Sequence, residues 1–296
     1  ITVTDLNANW IDGGAGADTI LAGAGNDTLI YDAADATVDG EAGTDTLVVR
    51  DAAIDLTAAG ISGTQIKNIE VIDLRGSQGT QLTLSVASVA ALSTSSEALT
   101  VYADDQDVLE LVGTWALGAN TVVGNSVYRN WTGTSTSPAA TVTLCISAEA
   151  SVRLTGTASA ETINGSTSPD VIWGLAGNDT LNGSDGDDTF IGGLGNDSIT
   201  GGAGLDTVDY SGVAGPITVN LGTGSVTVTG DGTDTLATIE RVIATAGADS
   251  LLGSANADWL EGQADNDTLD GAAGDDHLYG QSGADSLLGG DRKSVV

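Results

Sequence analysis

The sequence predicts an all-β chain wound as a parallel β-roll, and three observations carry that expectation. An acidic residue recurs every nine positions, with an apolar residue two places after it. Glycine stands five and two places before the same acid. Aromatic residues are only 4% of the chain, against 42 glycines and 3 prolines, a composition that favours thin, regularly turning coils over layers of bulky side chains. A fixed short period defines an architecture before any single residue does.

The elements follow in order. Residues 1–48 form a first roll block, with Asp18, Asp27 and Asp45 in the acidic slot and Ile20, Leu29 and Leu47 in the apolar slot. Asn9 with Ile11, and Ala36 with Val38, are degenerate units in the same register. Residues 49–150 lose the period and become Val/Thr-rich. Alternation at 81–84, 99–102 and 121–123 predicts strands there, and 85–92 reads as a short helix. The second block, 151–211, places Glu161, Asp170, Asp179, Asp188, Asp197 and Asp206 at strict nine-residue steps, followed by Ile163, Ile172, Leu181, Phe190, Ile199 and Val208.

Residues 212–244 are a second β spacer. The two spacers echo each other in Ile66-Lys-Asn-Ile-Glu-Val-Ile72 and Leu236-Ala-Thr-Ile-Glu-Arg-Val-Ile243. The third block, 245–290, carries Asp249, Asp258, Asp267, Asp276 and Asp285 with Leu251, Leu260, Leu269, Leu278 and Leu287. The spacers are expected to keep winding as an irregular β-solenoid; a separate small β-sandwich at 49–150 is the alternative. Residues 291–296 break the period and read as a non-native tail, and a chain starting at Ile1 with no methionine is expected to have its natural start upstream.

The spacing has a chemistry. Glycine-rich hexads turn tightly and can aim backbone carbonyls at a cation, and the remaining three residues make a minimal strand with one side chain inward. Two nonapeptides close one coil, so acids two units apart stack into a ladder on each edge. Coils lie roughly 4.8 Å apart, where two bare carboxylates repel by about 3 kcal/mol at an effective dielectric near 20. Ca²⁺, a hard cation that takes oxygen ligands from carboxylates and carbonyls, answers that repulsion better than Mg²⁺ or zinc.

The expected metal ligands are the carboxylates of Asp18, Asp27, Asp45, Asp170, Asp179, Asp188, Asp197, Asp206, Asp249, Asp258, Asp267, Asp276 and Asp285. Turn carbonyls are expected from Gly174, Gly177, Gly183, Gly186, Gly192, Gly195, Gly201, Gly204, Gly271, Gly274, Gly280 and Gly283. Without metal the glycine entropy and the charge repulsion should leave the repeats largely unfolded.

A formal charge of −33, from 41 acidic against 8 basic residues, excludes ordinary nucleic-acid binding, which needs clustered Lys and Arg. Acidity as salt adaptation would scatter the acids without a period. No apolar run is long enough to span a bilayer. The single cysteine, Cys145, allows no internal disulfide and reads as a buried structural thiol. The only histidine, His277, sits beside the apolar slot and is expected at a solvent-facing strand edge. The five tryptophans read as structural. No zinc-protease helix, serine elbow or phosphate loop is present, and no catalytic residue is assigned.

The complete unit, Gly192-Gly-Leu-Gly-Asn-Asp-Ser-Ile-Thr200, resembles the RTX, or hemolysin-type calcium-binding, nonapeptide. The resemblance implies a right-handed parallel β-roll, several Ca²⁺ ions, export by type I secretion machinery, and folding outside the cell at millimolar calcium. The stretch from Ile66 through Trp115 to Trp131 is similar, more loosely, to spacers of large RTX adhesins. The implied protein is a secreted or bacterial surface-associated adhesin, possible partners being surface or matrix polysaccharides; the alternative is the RTX tail of a secreted enzyme or toxin whose catalytic domain lies elsewhere.

Overall fold

In the computed structural model the described residues are all except 52, 59–60, 62, 77–78, 93–97, 105, 114, 118–120, 124–125, 137–138, 148–150, 229–231 and 291–296. The 291–296 tail expected from the sequence therefore lies outside them. The chain forms two compact units, Ile1–Arg153 and Leu154–Val296. The architecture is nearly all β with mostly parallel pairing, as the nine-residue period predicts.

In the second unit the coil repeat is 18 residues. Thr180–Asp185 pairs in parallel with Thr162–Asn164 and with Ser198–Ala203, setting Ile163, Leu181 and Ile199 in one column. The opposite sheet sets Ile172, Phe190, Val208, Val242, Leu260 and Leu278 in another. These side chains are buried, while Leu287 in the last strand is only half-buried. Alternation within such short strands buries one side chain and exposes its two neighbours, so the roll has a core one residue thick.

The 212–244 spacer enters this roll unevenly. One sheet gains three strands, Ile217–Asn220, Ser225–Val228 and Gly232–Ala237, joined antiparallel between Ser198–Ala203 and Ser250–Leu252. The other sheet gains only Arg241–Ile243, parallel to Thr207–Asp209 and Trp259–Glu261.

The first unit begins with the same 18-residue register, Trp10 opposite Thr28 and Thr28 opposite Thr46. The winding continues into the 49–150 spacer, where Val71–Asp73 pairs in parallel with Thr46–Val49 and with Ala98–Tyr102. Gln81–Ser85 likewise pairs with Ala53–Asp55 and Val108–Val112. The solenoid expectation therefore holds for these strands. It gives way to antiparallel pairing where Ser126–Thr136 and Ala139–Ser147 form a long hairpin. The predicted helix is Val86–Leu92. Ser85 caps it reciprocally: its hydroxyl accepts the Ser88 amide at 3.1 Å, and the Ser88 hydroxyl accepts the Ser85 amide at 2.8 Å.

Trp115 and Trp131 are buried, in keeping with a structural role, but Trp10 is 66% exposed and departs from that expectation. It precedes the inward Ile11 and so points outward from a one-sided strand. His277 is half-buried, because Trp259 of the preceding coil stacks on it at 4.8 Å between ring centroids. The side chain of Cys145 lies outside the described residues.

Candidate metal centres

The acids of the repeat form a hydrogen-bonded ladder along each edge. In every regular unit the backbone amide of one acid donates to the carboxylate Oδ1 of the acid one coil later. Asp170 donates to Asp188, and Asp188 to Asp206, at 2.8 and 2.9 Å. Glu161 donates to Asp179, and Asp179 to Asp197, both at 2.9 Å. The same rung joins Asn9 to Asp27 and Asp27 to Asp45, and in the third block joins Asp249 to Asp267, Asp258 to Asp276 and Asp267 to Asp285. Eleven of the thirteen expected aspartates are buried; Asp18 and Asp285 are half-buried. Asp18 sits opposite Ala36, so its rung has no carboxylate one coil on.

One oxygen of each carboxylate that receives a rung is thus used by the protein, and the state of Oδ2 divides the sites in two. Oδ2 of Asp27, Asp45, Asp179, Asp188, Asp206 and Asp267 is buried without a hydrogen-bond partner. A buried carboxylate oxygen left so is costly unless a cation or proton meets it. In contrast, Ser166 donates its amide and hydroxyl to Oδ2 of Asp170, and Thr245 and Ser254 do the same for Asp249 and Asp258. Thr157 similarly engages Glu161. These four self-capped acids are the first two of the second block and the first two of the third.

The backbone four residues before the acid explains the division. Glu41, Leu175, Ser184 and Gln263 occupy that position before Asp45, Asp179, Asp188 and Asp267, each with φ between 64° and 82°. That conformation rotates the turn amide away from Oδ2. The Ser/Thr residues are not in the left-handed region and turn amide and hydroxyl inward. Whether a unit is self-capped is therefore written four residues before the acid, where the complete unit has Gly193 and the self-capped units have Ser or Thr.

Except at Asp27, where Ala22 stands five residues before the acid, the open oxygens face glycines. A β-carbon on Gly174 would lie 2.6 Å from Oδ2 of Asp179, and one on Gly183 would lie 2.7 Å from the carbonyl oxygen of Gly201. Gly183 also abuts Oδ2 of Asp188, and Gly174 the carbonyl of Gly192. The acid of one unit and a glycine carbonyl of the next coil thus converge on a bare α-carbon. Gly192, Gly201, Gly271 and Gly280 likewise abut the side chains of Asp197, Asp206, Asp276 and Asp285. The glycines two before the acid, Gly177, Gly186, Gly195, Gly204, Gly274 and Gly283, hold positive φ from 122° to 157°. At Gly195 the close approach of the Gly177 carbonyl leaves no room for a side chain.

This donor set of carboxylate and carbonyl oxygens, with no sulfur or imidazole, suits a hard cation such as Ca²⁺. Among the described residues no three His, Cys, Asp or Glu side chains converge on one point. That follows from a ladder with one acid per coil and edge, and it requires backbone carbonyls to make up any shell. Burial, with neighbouring carboxylates adding to it, pushes Asp188 up to about 7 and Asp45 and Asp267 up to about 6. Burial also raises Asp179, Asp206, Asp249 and Asp258.

Two features escaped the sequence reading. The residue before the acid builds a second ladder: Oδ1 of Asn178 accepts the Asn196 amide at 2.9 Å, and Asn196 accepts that of Thr233 at 2.7 Å. Asn26, Asp187 and Asn266 act alike. The recurrence of Asn or Asp at that place was the available signal. The ladders also run into the spacers, where Asp234 accepts the Asp197 amide and the Tyr210 hydroxyl.

A family model described as the RTX calcium-binding nonapeptide repeat (4 copies) matches residues 4–38, 155–190, 182–212, 234–269, 243–277 and 261–291. No curated protein matches the chain. The matched stretches cover just over half of the sequence and coincide with the carboxylate ladders, so the chain belongs to the RTX calcium-binding nonapeptide repeat family.

Proposed function

We propose that the open ladder positions bind several Ca²⁺ ions and that this binding drives folding of a secreted or surface-associated RTX protein. The observation that carries the reading is the buried, unpartnered Oδ2 of Asp188, set beside the Gly201 carbonyl and repeated at equivalent positions along both edges. Asp27, Asp45, Asp179, Asp188, Asp197, Asp206, Asp267, Asp276 and Asp285 supply carboxylates, and the glycines around them carbonyls. Bound calcium would supply the positive charge that these buried carboxylates lack. Asp170, Asp249 and Asp258 are weaker ligands, because Ser/Thr donors already occupy their Oδ2, and Asp18 has no partner rung.

The segment is non-enzymatic in this reading. The long β spacers between blocks favour an adhesin-type protein, exported unfolded by type I machinery and folded at extracellular calcium of about 10⁻³ M, which matches weak extracellular sites. Size-exclusion chromatography in calcium and in chelator tests the folding role: the chain should contract markedly in calcium. An equal elution volume in both would refute it. Tandem adhesive repeats in the flanking sequence support the adhesin reading, and a catalytic motif there replaces it with that of an enzyme tail.

A further inference from the structure

Both spacers cross between the edges of the roll by the same shortened turn. In a regular unit nine residues separate successive apolar slots, as from Leu181 to Phe190, whereas the spacer steps from Ile66 to Ile72 and from Leu236 to Val242 are three residues shorter. Pairing shows that these are equivalent steps. Ile66 aligns with Val38 and Ile72 with Leu47; Leu236 aligns with Ile199 and Val242 with Val208.

The shortened turn keeps the ladder. The amides of Asp45 and Asp206 donate to Oε2 of Glu70 and of Glu240, both at 3.0 Å. Each glutamate therefore fills the rung that aspartate fills elsewhere, its extra methylene spanning part of the gap left by the missing residues. Asn68 and Thr238, two residues before these glutamates, adopt φ of 53° and 50°. Their carbonyls consequently abut Gly40 and Gly201, beside Oδ2 of Asp45 and of Asp206. This is the relationship that the Gly201 carbonyl has to Gly183 and Asp188 in the regular ladder. Asp45 and Asp206 are fully buried, and neither Oδ2 has a hydrogen-bond partner.

We propose that Asn68-Ile-Glu70 and Thr238-Ile-Glu240 are compact cation turns, each closing a further Ca²⁺ site on Asp45 or Asp206 through the Asn68 or Thr238 carbonyl. Glu70 and Glu240 hold the rung and its negative charge. The inference rests on the calcium reading of the regular ladders and extends it: cations tie a roll to the spacer that follows it.

Anomalous scattering from crystals of the whole chain grown in CaCl₂ tests this without mutation. Peaks are expected beside Gly40 and Gly201 as well as beside Gly174 and Gly183. Peaks at Gly174 and Gly183 with none at Gly40 and Gly201 overturn the compact turns alone, and none anywhere overturns the calcium reading beneath them. In solution, E70Q and E240Q keep an acceptor for the aspartate amide while removing the charge. By equilibrium dialysis against calcium, each should bind one ion fewer or bind it more weakly, and unchanged stoichiometry and affinity would overturn the proposal.

Discussion

The backbone amide of Asp188 donates to Oδ1 of Asp206, one coil further on, at 2.9 Å. That rung fixes one carboxylate oxygen and leaves the other facing a glycine. Substituting Asp188→Asn should keep an oxygen acceptor for the Asp170 amide but remove the charge, so calcium binding along that edge should weaken. Equilibrium dialysis checks it, and full retention of both stoichiometry and affinity would count against the ladder as the metal site.

Self-capped units should behave differently. Ser254 donates its amide and hydroxyl to Asp258, and Ser254→Ala removes only the hydroxyl. Chemical denaturation in saturating calcium should show a loss of about 1–3 kcal/mol, because that hydroxyl donates to a carboxylate and also accepts the Asn256 amide, with no change in the number of ions bound. A lost ion would place a cation where the hydroxyl now serves.

Glycine substitutions separate the cradle from the surface. A β-carbon at Gly183 meets both a carboxylate and a carbonyl oxygen, whereas one at Gly212 meets nothing within 4 Å. Gly183→Ala should destabilise the calcium-loaded fold by about 1–3 kcal/mol, the range for overpacking, and weaken calcium binding. Gly212→Ala should stay within about 0.5 kcal/mol of the parent. Thermal unfolding in calcium distinguishes the two.

Much of this fold was legible because the period is rigid. The columns from Ile163 to Val208 and the rungs from Asp170 to Asp206 follow from counting nine residues. The self-capping of Asp170 and Asp258 was not legible from the period, because it depends on whether the residue four before the acid takes positive φ, and Leu175 and Ser184 do so although neither is glycine. The Ile-Glu echo of the spacers was visible, yet its place in the ladder was hidden by the three missing residues, which shift Glu70 and Glu240 out of the nine-residue count. The exposed Trp10 departs from a structural reading because the outward face of so short a strand is not constrained by the core, whereas His277 keeps its strand-edge place and is half-covered by Trp259 one coil before it.

The raised carboxyls make metal-free stability depend on pH with a definite sign. Burial pushes Asp188 up to about 7 and Asp45 and Asp267 up to about 6, against about 3.9 in an unfolded chain. A carboxyl that holds its proton more tightly when folded stabilises the fold below the unfolded value, and that contribution is lost as pH rises through the folded one. In chelator, β-structure by far-UV circular dichroism should therefore be greater near pH 5 than at pH 7.5. In calcium the same protons compete with the ion, so more calcium should be needed at pH 5 than at pH 7.5. A chelated chain whose spectrum is flat from pH 4 to 8 would contradict these shifts.

The most direct test of the central claim is a calcium titration at pH 7.5 followed by far-UV circular dichroism, starting from excess chelator. Ladders of buried carboxylates that need cations predict a largely unfolded chain that gains β-structure cooperatively as calcium approaches the millimolar range. β-structure already complete in chelator, and unchanged by calcium, would contradict it.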